Sequence, residues 1–166
     1  MTRLAPLLSS VRHDWRTPSL MLDLVRTLRP IGLDPATSPD NPTRAARYYT
    51  PALDGLAQPW RCAQDALIYV NPPYGRSIGK WVAKAVAEAW SPSRPHILML
   101  LPARPDASWW QDYVGGWTRV LFWRGRLRFE GAAHASPFPS AIWWQGQGAA
   151  VDFDRILGPY GWTVRP

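Results

Sequence analysis

The segment Leu67-Ile68-Tyr69-Val70-Asn71-Pro72-Pro73-Tyr74 constrains the fold more than any other part of the chain. Its first four residues are apolar, three of them β-branched or aromatic, and predict a buried strand. Pro72 and Pro73 end it, because neither offers an N–H to a ladder and each fixes its own φ. Gly75 to Ser77 and a helical pattern from Ile78 then complete a strand, a rigid loop and a crossover helix. In open α/β sheets, ligands sit at such carboxyl strand ends. An asparagine, two prolines and a tyrosine there predict a pocket for a flat molecule bearing an amine.

The chemistry follows from the residue types. An amine attached to an aromatic ring has two N–H donors and a conjugated, poorly nucleophilic lone pair. The side-chain oxygen of Asn71 can accept from one N–H and the Pro72 carbonyl from the other. Two acceptors held out of the ring plane pull the nitrogen toward sp³ geometry and free its lone pair. The prolines keep those acceptors rigid, so little ordering is needed at the reactive moment. Tyr74 would stack on the ring, a contact worth roughly 1–3 kcal/mol. The plainer alternative is an ordinary Pro-Pro turn with a surface tyrosine.

Other blocks extend this reading. They are Asp14-Trp15-Arg16-Thr17-Pro18, Leu33-Asp34-Pro35-Ala36, Asp54-Gly55-Leu56 with Trp60, and Asn71 to Arg76 running into Ile78-Gly79-Lys80-Trp81. Leu100 to Arg104, Arg124 to Phe129 and Pro137-Phe138-Pro139-Ser140-Ala141 complete the series. Together they resemble the small phage DNA N-6-adenine methyltransferases, over about residues 13 to 145. The resemblance implies an enzyme that uses S-adenosylmethionine to methylate N6 of adenine in DNA, with relaxed or short site specificity and a base flipped out of the duplex. It implies an α/β, Rossmann-like class I methyltransferase fold in one domain, with a trimmed, mostly parallel sheet ending in a β-hairpin. Asn71, Pro72, Pro73 and Tyr74 are then the catalytic residues. Trp15, Thr17, Pro18, Asp34, Pro35, Thr37, Asp54 and Asn71 are the expected cofactor contacts. The same motif also serves RNA adenine, cytosine N4 and protein glutamine.

In this enzyme class a glycine-rich turn usually follows the first strand, but here Asp34-Pro35 continues as Ala36-Thr37-Ser38-Pro39-Asp40. Cofactor binding must therefore rely more on side chains, Asp34 with Thr37 or Ser38. The missing glycines also leave open a DNA-binding remnant without activity. Asp34 as a turn-starter and Asp54 as an Asx-turn residue before Gly55 are the plainer readings. Asp34 and Asn71 are 37 positions apart, too few for two complete βα units, so one or two early elements should be reduced.

Charge bears on the acceptor. The chain has 19 Lys and Arg against 12 Asp and Glu, a net charge of +7, and Lys80 and Lys84 are its only lysines. Arginine binds phosphate bidentately and stacks on bases, so the bias suits a nucleic-acid surface. Arg124, Arg126 and Arg128 have the period of two that places them on one strand face. With Arg76, Arg104 and Phe138 they are the expected DNA contacts; an Arg104–Asp106 surface pair is the alternative. The lone Cys62 excludes an internal disulfide and fits a reducing, host-cell cytoplasm. No membrane segment, phosphate loop, Gly-x-Ser-x-Gly elbow or zinc spacing of His13, His96 and His134 is present, and no metal is expected.

In order, residues 1–12 form a loose basic segment and 13–166 the domain. Thr17 is the expected N-cap of a helix with Pro18 at its first position, followed by Leu20, Leu24 and Leu28 with Met21 and Val25. Strands are expected at Ile31 to Asp34, around Tyr48 to Thr50, at His96 to Leu101, from Arg119 to Phe129 and at Ser140 to Trp144. Trp81, Val82, Ala85, Val86 and Ala89 predict one helix stripe, with Lys80, Lys84 and Glu88 opposite. Ser108 can cap a short helix, and the tail should dock through Ile156, Tyr160 and Trp162.

Overall fold

The computed structural model describes residues 15–115, 119–146 and 150–165. The expected loose segment 1–12 lies outside them, as does His13. One seven-stranded sheet runs β2-β1-β3-β4-β6-β5-β7. Its strands are β1 (Ile31–Asp34), β2 (Arg47–Tyr48), β3 (Leu67–Val70), β4 (His96–Pro102), β5 (Arg119–Trp123), β6 (Ser140–Gln145) and β7 (Gly161–Val164). The helices are α1 (Ser19–Leu28), α2 (Ile78–Ala89), α3 (Ser108–Tyr113) and α4 (Ala150–Leu157).

The central strand is as expected. All four residues of β3 are buried, and β3 pairs in parallel with β1 on one side and β4 on the other. A strand covered on both faces reads as a continuous apolar run rather than an alternation. Trp143 and Trp144 in β6 tell the same story: side chains of neighbouring strand residues leave opposite faces, and both are buried. Parallel pairing joins β2 to β1, β1 to β3 and β3 to β4. β4–β6, β6–β5 and β5–β7 are antiparallel, so "mostly parallel" holds only for the first half of the sheet. Nor does the β5–β6 pair end the sheet, because the tail adds β7 along the outer side of β5. Gly161 makes that approach possible: a Cβ there would lie 2.1 Å from the Phe122 carbonyl oxygen. Tyr160 also stacks on Trp123 and Trp162 on Phe122, and Ile156 is buried.

The early part of the chain is reduced, as the short spacing required. Between β1 and β3 there is no α-helix, only the two-residue β2 and a 3-10 turn at Pro51–Leu53. Trp60 organises this segment: it is fully buried, its indole N–H donates to the Gly55 carbonyl at 2.8 Å, and its ring stacks on Trp81. Gly55 lies so close to Pro35 that an added Cβ would meet its carbonyl oxygen at 1.9 Å. The Asp54-Gly55-Leu56 block with Trp60 therefore buttresses the loop after β1.

Several local expectations shift. Pro18, not Thr17, is the N-cap of α1, and no side chain caps it. The buried face of α1 is Met21, Leu22, Val25 and Leu28, while Leu20 is 53% exposed. Ser108 is likewise the first helical residue of α3, with Ala107 at the cap. On α2, Lys84 and Glu88, opposite the apolar stripe, pair at 3.1 Å, about one-fifth exposed, with the ammonium over the Trp60 ring. Buried Trp60 draws them in. The predicted strand from Arg119 to Phe129 stops at Trp123, because Gly125 takes a φ of 75° that extended backbone cannot accommodate.

Candidate active site

The carboxyl ends of β1, β3 and β4 lie side by side, and the loop leaving β3 carries Asn71. The Asn71 side-chain N–H₂ donates to the Trp15 carbonyl and, at 3.1 Å, to Thr17 Oγ1. Thr17 Oγ1 is itself 2.7 Å from the Tyr69 hydroxyl. These bonds pin the amide and turn its oxygen the other way. Oδ1 is buried without a hydrogen-bond partner among the described residues. A buried acceptor left unpaired is costly, roughly 1–3 kcal/mol, unless a donor arrives from outside.

Asn71, Pro72 and Pro73 line a cavity of about 590 Å³, within the range of about 300–1,000 Å³ usual for small-molecule sites. Trp15, Thr17 and Tyr69 share this wall, while Asp34, Ala36, Thr37, Ser38 and Thr43 line the rest. Asp34 is buried at the end of β1, accepting from the Ala36 N–H at 3.0 Å and from Thr43 Oγ1 at 2.9 Å. Burial pushes its carboxyl up from 3.8 to about 6, against hydrogen bonds from Ala36, Thr43 and Thr37 that pull it down.

That shift predicts a pH effect of definite sign. The folded protein holds the Asp34 proton more tightly than the unfolded chain. The favourable contribution is therefore complete below about pH 4 and is lost as pH rises through about 6. The loss amounts to roughly 3 kcal/mol. Urea unfolding between pH 4 and pH 7 should show this decline in wild type and a flatter profile in Asp34→Asn; equal slopes would count against it.

Other expected site residues lie elsewhere. Tyr74 does not line the cavity. It is 6% exposed, its hydroxyl donates to the Leu100 carbonyl at 3.1 Å, and its ring meets Phe129 and Phe138 edge-on. Burial raises its phenol well above the usual value. Phe138 is also buried in this cluster, packed on Trp15, so it is no DNA-facing side chain. The Phe138 backbone enters a turn closed by the Ser136 hydroxyl, which draws the ring inward. Asp54 is exposed, with φ 48°, and accepts from the Leu56 N–H, which is the Asx-turn reading. Pro18 and Pro35 are absent from the cavity wall. Pro18 instead lines a separate hollow with Arg128 and Glu130, and Pro35 packs under Gly55.

The arginines do not form one stripe. Arg124 precedes the turn at Gly125, whereas Arg126 and Arg128 follow it, exposed and alternating with buried Leu127 and Phe129. Arg128 Nε donates to the Ala132 carbonyl. Arg76 is exposed on the loop that carries Asn71, and Arg104 is half-buried beyond β4.

Sequence reasoning missed Tyr69 and Thr43 as cavity residues, and Arg16 with Asp40. The Arg16 guanidinium pairs with the Asp40 carboxylate at 2.7 Å, beside Ser38 and Pro39 on the cavity rim. Hydrogen bonds from Ser38 and Arg16 hold Asp40 below the usual carboxylate range. The signal for Thr43 was the Asn41-Pro42 turn: Asn41 and Arg44 adopt φ of 43° and 52° and aim Thr43 back at Asp34. Among the described residues no group of His, Cys, Asp and Glu is arranged to hold a metal, and no helix is long and apolar enough to cross a membrane.

Residues 5–145 match the family model described as DNA N-6-adenine-methyltransferase (Dam). No curated protein matches the chain. The match covers most of the sequence, and the chain belongs to that family.

Proposed function

We propose that this member of the family transfers a methyl group from S-adenosylmethionine to N6 of an adenine flipped out of DNA, with short or relaxed site specificity. We read 13–166 as one Rossmann-like class I domain of the phage type, working in the cytoplasm of a bacterial host. The observation that carries the reading is the buried Asn71 Oδ1, pinned by bonds to its amide nitrogen and lacking a donor.

The cavity fits the cofactor by its donor set. Asp34, Thr37, Ser38 and Thr43 offer a carboxylate and three hydroxyls along the glycine-free loop, with Trp15, Thr17 and Asn71 toward the reacting end. S-adenosylmethionine, when bound, supplies an already activated methyl group. The protein then has to orient and desolvate the acceptor. Asn71 Oδ1 accepts a hydrogen bond from one N6–H and the Pro72 carbonyl from the other, which bends the amine out of the ring plane. The proton leaves after transfer, with no strong base required. Arg76, Arg104, Arg124, Arg126 and Arg128 supply phosphate contacts, which position DNA without selecting bases.

The test is methyl transfer from tritiated S-adenosylmethionine to unmethylated plasmid, followed by digestion to nucleosides. Label in N6-methyldeoxyadenosine is expected. Label in a cytosine nucleoside, or in RNA only, would overturn the acceptor. No label in either nucleic acid would favour the inactive, DNA-binding remnant.

A further inference from the structure

We infer that the indole N–H of Trp15 reads the target base by donating to the ring nitrogen beside its amine. This rests on the assignment of Asn71 to an amino-bearing base. Trp15 Nε1 and Asn71 Oδ1 are both buried and both without a partner among the described residues. One can only donate and the other is an acceptor. The two residues are direct neighbours: the Trp15 carbonyl accepts from the Asn71 side chain, and both line the same cavity.

A flipped base is commonly read along its Watson–Crick edge. Adenine presents there an N6–H donor next to the N1 acceptor, the complement of this acceptor and donor. Guanine and thymine present a carbonyl beside an N–H, so the same pair would set acceptor against acceptor and donor against donor. Such unpaired polar groups reject a ligand strongly in a dry site. Cytosine shares adenine's pattern, and the pair does not separate those two.

The indole is held for this task. Its ring packs on Phe129 at 5.0 Å and edge-on to Phe138 at 5.5 Å. The next residue is fixed as well, because the Arg16 carbonyl accepts from the Glu130 N–H at 2.9 Å. Trp15 thus sits between the catalytic asparagine and the aromatic cluster that contains Tyr74.

The experiment compares wild type and Trp15→Phe, which keeps an aromatic ring but removes the N–H donor together with part of the indole, so the matched deaza bases isolate the donor's share. Substrates are DNA duplexes with adenine, 1-deazaadenine or 7-deazaadenine at the target. At saturating S-adenosylmethionine, Trp15→Phe should lower kcat/KM on adenine about tenfold. Wild type should lose more on 1-deazaadenine than on 7-deazaadenine, and Trp15→Phe should show no further loss with 1-deazaadenine. Multiplying losses, an unchanged Trp15→Phe, or weakened cofactor binding alone would overturn the role of Trp15. The wild-type comparison stands even if the variant folds poorly, and equal losses on the two deaza bases would also overturn it. A wild type that methylates no adenine duplex removes the proposed function itself, and this inference with it.

Discussion

Asn71→Ala is expected to lower methyl transfer to DNA by roughly two to three orders of magnitude, the usual cost of removing one preorganised polar group from a reacting centre. The variant should still fold. Asn71 sits in a loop, and the truncation removes only its bonds to Trp15 and Thr17. A neutral hydrogen bond is worth about 1 kcal/mol net. Initial rates at saturating S-adenosylmethionine, beside a thermal melt, separate the two effects. A folded Asn71→Ala with near-wild-type turnover would end the catalytic assignment. Asn71→Asp is a sharper probe. It keeps an acceptor facing the amine but sets its second oxygen against the Trp15 carbonyl, where only a donor fits. Its activity should fall between wild type and alanine.

Tyr74→Ala should act first on stability. The ring fills a buried site against Phe129 and Phe138, and emptying such sites costs about 3–5 kcal/mol. For a chain of this size that lowers Tm on the order of 10 °C. Tyr74→Phe keeps the ring and loses only the hydroxyl bond to the Leu100 carbonyl, so its Tm should drop by only a few degrees. Comparing the two in a melt and in the transfer assay decides what the motif's tyrosine does. If Tyr74→Ala melts with the wild type, the packing role assigned here is wrong. If Tyr74→Phe is stable but inactive, the hydroxyl matters to the reaction in a way that its contact with Leu100 does not explain.

Local sequence determined the elements whose side chains answer to nearest neighbours. The apolar run of β3 read as a buried strand and is one, and the two prolines end it, because proline lacks an N–H wherever it sits. The spacing from Asp34 to Asn71 already required lost elements, since chain length limits what can be built between two strands. Tertiary structure decided which face each residue turns. Tyr74 and Phe138 read as a base-stacking and a DNA-facing aromatic, yet Tyr74 meets Phe129 and Phe138, 55 and 64 positions further on, in a shared buried layer. Spacing alone places Lys84 and Glu88 only opposite the apolar stripe of α2, yet they pair, with the Lys84 ammonium over the buried Trp60 ring. The regular period of Arg124, Arg126 and Arg128 gave no hint that Gly125 would turn the backbone between them. The site follows the same division. Asn71 was legible because its chemistry belongs to its own loop. The orientation of its amide was not, because Trp15 and Thr17 set it from more than 50 positions away. Residue type and local spacing carry through covalent geometry, whereas burial and hydrogen-bond partnership depend on which distant segments the folded chain brings together.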